Sequence, residues 1–162
     1  MREFEVNSLP PENWTRYKAI RLRALEDSPD AFGSTLEREL GFSDEQWQER
    51  LRNPETGTFV ATSIDGKDIG LAVGAPYDGT AGLFAMWVAP EARNMGLGKA
   101  MVEVVCDWAK TEGYSIVSLD VAIENAAAIA LYRAMGFTPN GKTGAHRPPR
   151  EHIKEMQMEK KV

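Results

Sequence analysis

Apolar and polar positions change their spacing several times along this chain, and each change marks an element. "REFEV" alternates and predicts a short first strand. In "PPENWTRYKAIRLRALED", Trp14, Tyr17, Ile20, Ala24 and Leu25 share one helical face behind a proline start, which predicts a helix over 10–27. "SPDAFGSTLEREL" reads as a bend with a short helix. "SDEQWQERLR" reads as another helix, because Ser43 and Gln46 have capping-box spacing and Trp47 and Leu51 lie one turn apart. "TFVATSI" and "DIGLAVGA" flank Asp65-Gly66 as two strands of a hairpin. "AGLFAMWVAP" is apolar on both faces and predicts a strand covered on both sides. Residues 96–113 set Leu97, Met101, Val104, Val105 and Trp108 against a charged face, which is an amphipathic helix. A buried strand "SIVSLDVAI", a helix "NAAAIALYRAMGF" and a last strand within "EHIKEMQMEKKV" complete the series.

The run of strand, helix and strand over 83–122 predicts a parallel pair joined by a right-handed crossover. The class is therefore α/β or α+β, built on one mixed sheet. No repeat or linker divides residues 1–162, so a single domain is expected. Composition adds exclusions. An apolar share of 43% and a charged share of 27% are those of a soluble globular chain. No run approaches the roughly 18 apolar residues of a membrane span, and "MREFEVNSLPPENW" lacks a secretory apolar stretch. A lone Cys106 forms no intrachain disulfide and fits a reducing cytoplasm. The net charge of −5 argues against nucleic acid as a partner.

Two segments carry anion-binding patterns. "GFTPNGKT", Gly136–Thr143, matches the phosphate-loop pattern G-x-x-x-x-G-K-[ST], which implies phosphate transfer. Its flanks disagree: a helix precedes it, Pro139 removes a backbone donor, and the prolines of "GAHRPPRE" oppose a following helix. The second segment, "VAPEARNMGLGKAM", places a glycine turn between a buried strand and an amphipathic helix. Free N–H groups and the helix dipole favour an anion there, with Arg93 and Lys99 as charged neighbours.

"RNMGLG" after "WVAP" resembles the acetyl-coenzyme A pyrophosphate motif [QR]-x-x-G-x-[GA] of the GNAT acetyltransferase superfamily. "LDVAIENAAAIALYRAMGF" is similar to that superfamily's second signature, a strand, an asparagine and a helix ending L-Y-x-x-x-G-F, nearest to protein N-terminal acetyltransferases. The likeness is strongest over Thr58–Phe137, looser over 10–52, and faint in "NGKTGAHRPPREHIKEM". Asn94 stands where many relatives have glycine.

The resemblance implies a GNAT-like domain: a twisted, mostly antiparallel sheet of about seven strands with helices on both faces, its parallel pair splayed at the acetyl-coenzyme A site. It implies acetyl transfer from that co-substrate to a small-molecule or peptide amine by direct attack, with no metal and no membrane partner; a homodimer is compatible. A non-catalytic acyl-coenzyme A sensor on the same fold is the alternative. For the co-substrate it implies Met86, Trp87 and Val88, whose backbone would pair with the pantetheine arm, and Arg93, Asn94, Met95, Gly96, Leu97, Gly98 and Lys99 around the pyrophosphate. Asn125 would bind pantetheine or cap its helix. Tyr132 would serve the departing thiolate as proton donor. Asp120 matches a base position, with Glu37 and Glu39 as rivals, and Phe32, Glu37 and Glu39 fall in the acceptor-side segment.

Overall fold

The computed structural model describes residues 3–162. Its strands are β1 (Phe4–Ser8), β2 (Gly57–Ser63), β3 (Asp68–Tyr77), β4 (Thr80–Val88), β5 (Ile116–Ala122), β6 (Thr138–Ala145) and β7 (Lys154–Lys161). The helices are α1 (Trp14–Asp27), α2 (Leu36–Leu40), α3 (Asp44–Arg52), α4 (Leu97–Thr111) and α5 (Ala126–Ala134). Arg2, part of the expected first strand, lies outside the described residues. The strands form one sheet in the order β1-β2-β3-β4-β5-β7-β6. Every neighbouring pair is antiparallel except β4 and β5, the pair that α4 connects. Among the described residues no helix is long and apolar enough to cross a membrane.

Local chemistry explains the element ends. Ser43 accepts from the Gln46 N–H and Gln46 bonds back to the Ser43 N–H, completing the capping box of α3. α5 ends at Gly136 (φ 93°), where the Phe137 N–H reaches the Tyr132 carbonyl and the Gly136 N–H reaches Arg133. That is a Schellman cap, and it folds Phe137 back to a ring-centroid distance of 5.9 Å from Tyr132. The phosphate-loop match is thereby overturned. Gly136 closes a helix, and the residues after it run into strand β6 instead of opening a helix.

β6 is the one strand that the hydrophobic pattern does not announce. Nearly all of it is exposed, and its register on β7 slips between Pro139 and Thr143. A bulged edge strand buries little, so it needs no alternation of apolar residues.

Space on the sheet was set by small residues. A Cβ on Gly74 would meet Trp108 ring atoms at 2.4–3.0 Å, so β3 admits the indole of α4 only because it lacks a side chain there. Val73 points to the opposite face, where it shares a cavity with Tyr17 and Arg21 of α1. α4 and α1 therefore cover opposite faces. The core runs through both layers, with Trp47, Leu71, Met101, Val105, Leu119 and Met158 essentially without exposure.

Candidate active site

β4 and β5 begin as partners and then part. They pair at Ala81–Val117 and Gly82–Ser118, and the Thr80 and Ser118 hydroxyls bridge them at 3.0 Å. Beyond Gly82 no further pairing joins them among the described residues. β4 carries an extra residue there, since its register on β3 slips between Phe84 and Trp87, and Ala85 takes a left-handed conformation (φ 55°). Such a bulge bends one strand away from its neighbour. Past the bulge the Ala89 N–H donates to the Ile69 carbonyl of β3. Strand alternation then turns the N–H of Val88 toward the gap, and the Val88 carbonyl indeed accepts from Arg93 Nε away from β3. The parting leaves a cleft of about 600 Å³.

At one end of that cleft α4 starts at Gly96, whose φ of 79° suits glycine. No side chain caps the helix, so the first N–H groups of α4 remain available to an anion. Met86, Trp87, Val88, Arg93, Asn94, Gly96, Leu97, Gly98, Lys99 and Asn125 all line the cleft. Met95 instead lines an adjoining depression beside Glu3 and Glu103. Asn125 caps α5 by accepting from the Ala128 N–H, and still borders the cleft. Arg93 is committed to the protein: Nη2 donates to Asp27 Oδ2 at 2.8 Å, while Nε holds the Val88 carbonyl. Asp27 also accepts from the Trp87 indole and Ser28, and these contacts, the indole's first, keep its carboxyl below the usual range despite some burial.

Asn94 sits at φ 65°, a left-handed position that asparagine tolerates and β-branched residues do not. Asn94→Gly is therefore expected to melt within about 0.5 kcal/mol of the parent, whereas Asn94→Val loses about 1–3 kcal/mol and weakens coenzyme A binding. Thermal melts and titration calorimetry check both.

A second chamber, of about 390 Å³, opens on the other side of β4. The two chambers share Ala31, Met86, Asp120 and Tyr132. Tyr132 is almost wholly buried, its hydroxyl has no hydrogen-bond partner among the described residues, and burial pushes its phenol up to about 12. Asp120, by contrast, is exposed and held at the end of a relay. Asn140 Nδ2 donates to Gln157 (2.6 Å), Gln157 Nε2 to the Tyr77 hydroxyl (2.9 Å), and that hydroxyl to Asp120 Oδ2 (2.6 Å). Burial and then the Asp120 carboxylate drive the Tyr77 phenol to about 12.

Acceptor-side residues from the sequence divide. Phe32 is buried and lines the second chamber. Glu37 is exposed and lines neither chamber. Glu39 has no exposure at all: it takes a two-pronged contact from Arg21 (3.0 and 2.9 Å) and another from Arg50 (2.9 Å). The structure thus places Glu39 among structural ion pairs, out of reach of a substrate, because α2 turns it inward.

Glu155 of β7 is the residue that the sequence does not reveal. Cross-strand registry sets it opposite Ala122, two residues beyond Asp120, and it lines the second chamber. Burial pushes its carboxyl up and nearby Asp120 adds to this, while His146 opposes it. His146 is itself buried, with Nε2 3.4 Å from Glu155 Oε2 and no well-aligned hydrogen bond at either ring nitrogen. Only the strand register brings Glu155 here, so no local signal could have found it.

Comparison with known proteins agrees with this geometry. The sequence pattern of the acetyltransferase (GNAT) family matches residues 18–137. The chain is 31% identical to human N-acetyltransferase 8B over 138 residues, covering 85% of this chain and 56% of that protein. It spans about half or less of the length of the curated relatives it matches first. Its fold superposes on a GNAT-family acetyltransferase from Streptococcus pneumoniae with a TM-score of 0.80 at 20% identity, covering 99% of this chain and all of that one. Spermidine N-acetyltransferase from Vibrio cholerae, solved with CoA and spermine, gives 0.77 at 17% identity, covering 98% and 95%.

Proposed function

Because the chain belongs to the acetyltransferase (GNAT) family, we propose that it transfers the acetyl group of acetyl-coenzyme A to a primary amine, by direct attack while both are bound. The observation that carries this reading is the meeting of two chambers at Asp120 and Tyr132. One chamber suits a long anionic co-substrate and the other a small acceptor. The co-substrate supplies an activated thioester; the protein supplies placement, charge stabilisation and proton management. Backbone groups of Met86 and Val88, freed by the bulge, would pair with the pantetheine arm, and the Val88 N–H would polarise the thioester carbonyl. The uncapped turn of α4 would hold the pyrophosphate, with Lys99 adding charge. Since Arg93 is tied to Asp27, it would shape the loop more than grip phosphate.

An alkylammonium acceptor has a pKa near 10 and must lose a proton before it attacks. Asp120 would take that proton, directly or through a water, with the Tyr77 hydroxyl fixing its carboxylate. Fixing both reactants in line is worth several kcal/mol of the barrier. A cytoplasmic setting fits the buried, unpaired thiol of Cys106.

The test is thiol release from acetyl-coenzyme A in the presence of a panel of amines. Amine-dependent release is expected; binding of coenzyme A with no release for any amine would leave only the sensor reading. Asp120→Asn should lower kcat/KM by about 10²-fold or more near neutral pH. That deficit should shrink as the pH approaches the acceptor's own pKa, where the neutral amine no longer needs a base.

A further inference from the structure

The second chamber carries opposite charges on separate elements. Asp120 and Glu155, on neighbouring strands β5 and β7, present carboxylates to it, while Arg50 of α3 and Arg21 of α1 present guanidiniums. The arginines are not cancelled by their buried partner. Arg21 and Arg50 together bring two positive charges to the single carboxylate of Glu39, so this side of the chamber keeps one in excess.

That excess sits on Arg50. Arg21 spends Nε and Nη2 on Glu39 and is only 10% exposed, whereas Arg50 gives Glu39 Nη1 alone. Its Nε and Nη2 have no partner among the described residues, and 34% of the side chain is exposed. The guanidinium also lies 4.7 Å from the Phe42 ring centroid and 5.0 Å from that of Trp47, which holds its plane in place. A guanidinium held in place beside a small cavity, with donors to spare, suits a planar anion such as a carboxylate.

We propose that the acceptor carries both an ammonium group and a carboxylate: a small amino acid whose amine lies against Asp120 and Glu155 and whose carboxylate meets Arg50. This deepens the acetyltransferase reading and rests on the second chamber being its acceptor side. At about 390 Å³ the chamber is at the small end of ligand pockets, so one compact molecule would touch both charged walls. A linear polyamine would satisfy the carboxylates and leave a second cation near Arg50, which costs affinity.

Calorimetry with the protein saturated with coenzyme A tests this apart from turnover. Amino acids of graded chain length are each compared with their carboxamides and with diamines of equal length. At least one acid is expected to bind about 10-fold or more tighter than its amide and its diamine. Equal or tighter binding of the amides or diamines throughout, or no binding of any acid, overturns the proposal. Binding of an acid without thiol release would instead count against the transferase reading and uphold the chamber only as an amino-acid binding site. In Arg50→Gln, which leaves Glu39 its two-pronged Arg21 contact, the acid-to-amide affinity ratio should fall by about 10- to 100-fold. An unchanged ratio in a variant that still binds coenzyme A also overturns it.

Discussion

Tyr132→Phe is expected to lower kcat by about 10²- to 10⁴-fold while coenzyme A binds within a few-fold of the parent affinity. The substitution removes one oxygen and little else. The Tyr132 hydroxyl has no protein partner among the described residues, so no buried group loses a hydrogen bond. The ring contact with Phe137 survives, and with it the cap of α5. Melting should therefore move by no more than about 1 kcal/mol. On the proposed mechanism, what disappears is a donor beside the departing sulfur. A phenol raised to about 12 stays protonated across any practical assay range, so it offers its hydrogen at every pH tested. Two readouts check the claim: kcat in the variant, and the alkaline side of the parent's profile, which should show no loss from this group below about pH 10. A kcat within about threefold of the parent would remove Tyr132 from the chemistry.

Glu39→Ala should be the most destabilising single change at a charged position, costing about 3–5 kcal/mol. The carboxylate has no exposure and is shared by two guanidiniums, one of them itself buried. Removing it strands Arg21 of α1 in the interior and takes from Arg50 of α3 its carboxylate partner on α2. For a chain of this size the loss corresponds to a fall in Tm on the order of 10 °C, readable by calorimetry. The same site predicts an acid limb. Burial alone would raise the Glu39 carboxyl, but the Arg21 contacts, with Arg50 adding, bring it down to about 2. A depressed carboxyl stabilises the fold above its unfolded pKa and loses that contribution as the pH falls toward the folded value. Stability at this site should therefore drain between about pH 4.5 and 2, by about 3 kcal/mol, and Glu39→Gln should lack that part of the limb. A parent and a Glu39→Gln variant with superimposable acid-denaturation curves would contradict the assignment.

The two substitutions separate what Glu39 and Tyr132 do, and the contrast shows how far sequence reasoning reaches. Both were legible as polar residues in interesting segments. Tyr132 could be placed because its surroundings are local: the Schellman turn at Gly136 fixes Phe137 against it within one helix end. Glu39 could not, since its partners come from α1 and α3, and nothing in "STLEREL" announces an inward turn. Asp120 lies between these cases. Its strand was evident from the apolar run around it, yet the Tyr77, Gln157 and Asn140 relay that holds it draws on β3, β7 and a bulge in β6.

The sequence by itself determined the element order apart from β6, the parallel crossover through α4, the glycine turn before that helix, and the two signatures that identify the family. Each rests on contacts within a few residues or on a hydrophobic period, and those survive in one dimension. Only the tertiary structure decided the bulge that parts β4 from β5, the removal of Glu39 to the interior, and the arrival of Glu155 beside Asp120. These depend on strand register and on packing between distant segments. Loss of the one-residue bulge in β4 or a shift of β7 would rearrange that chamber while leaving every local signal unchanged.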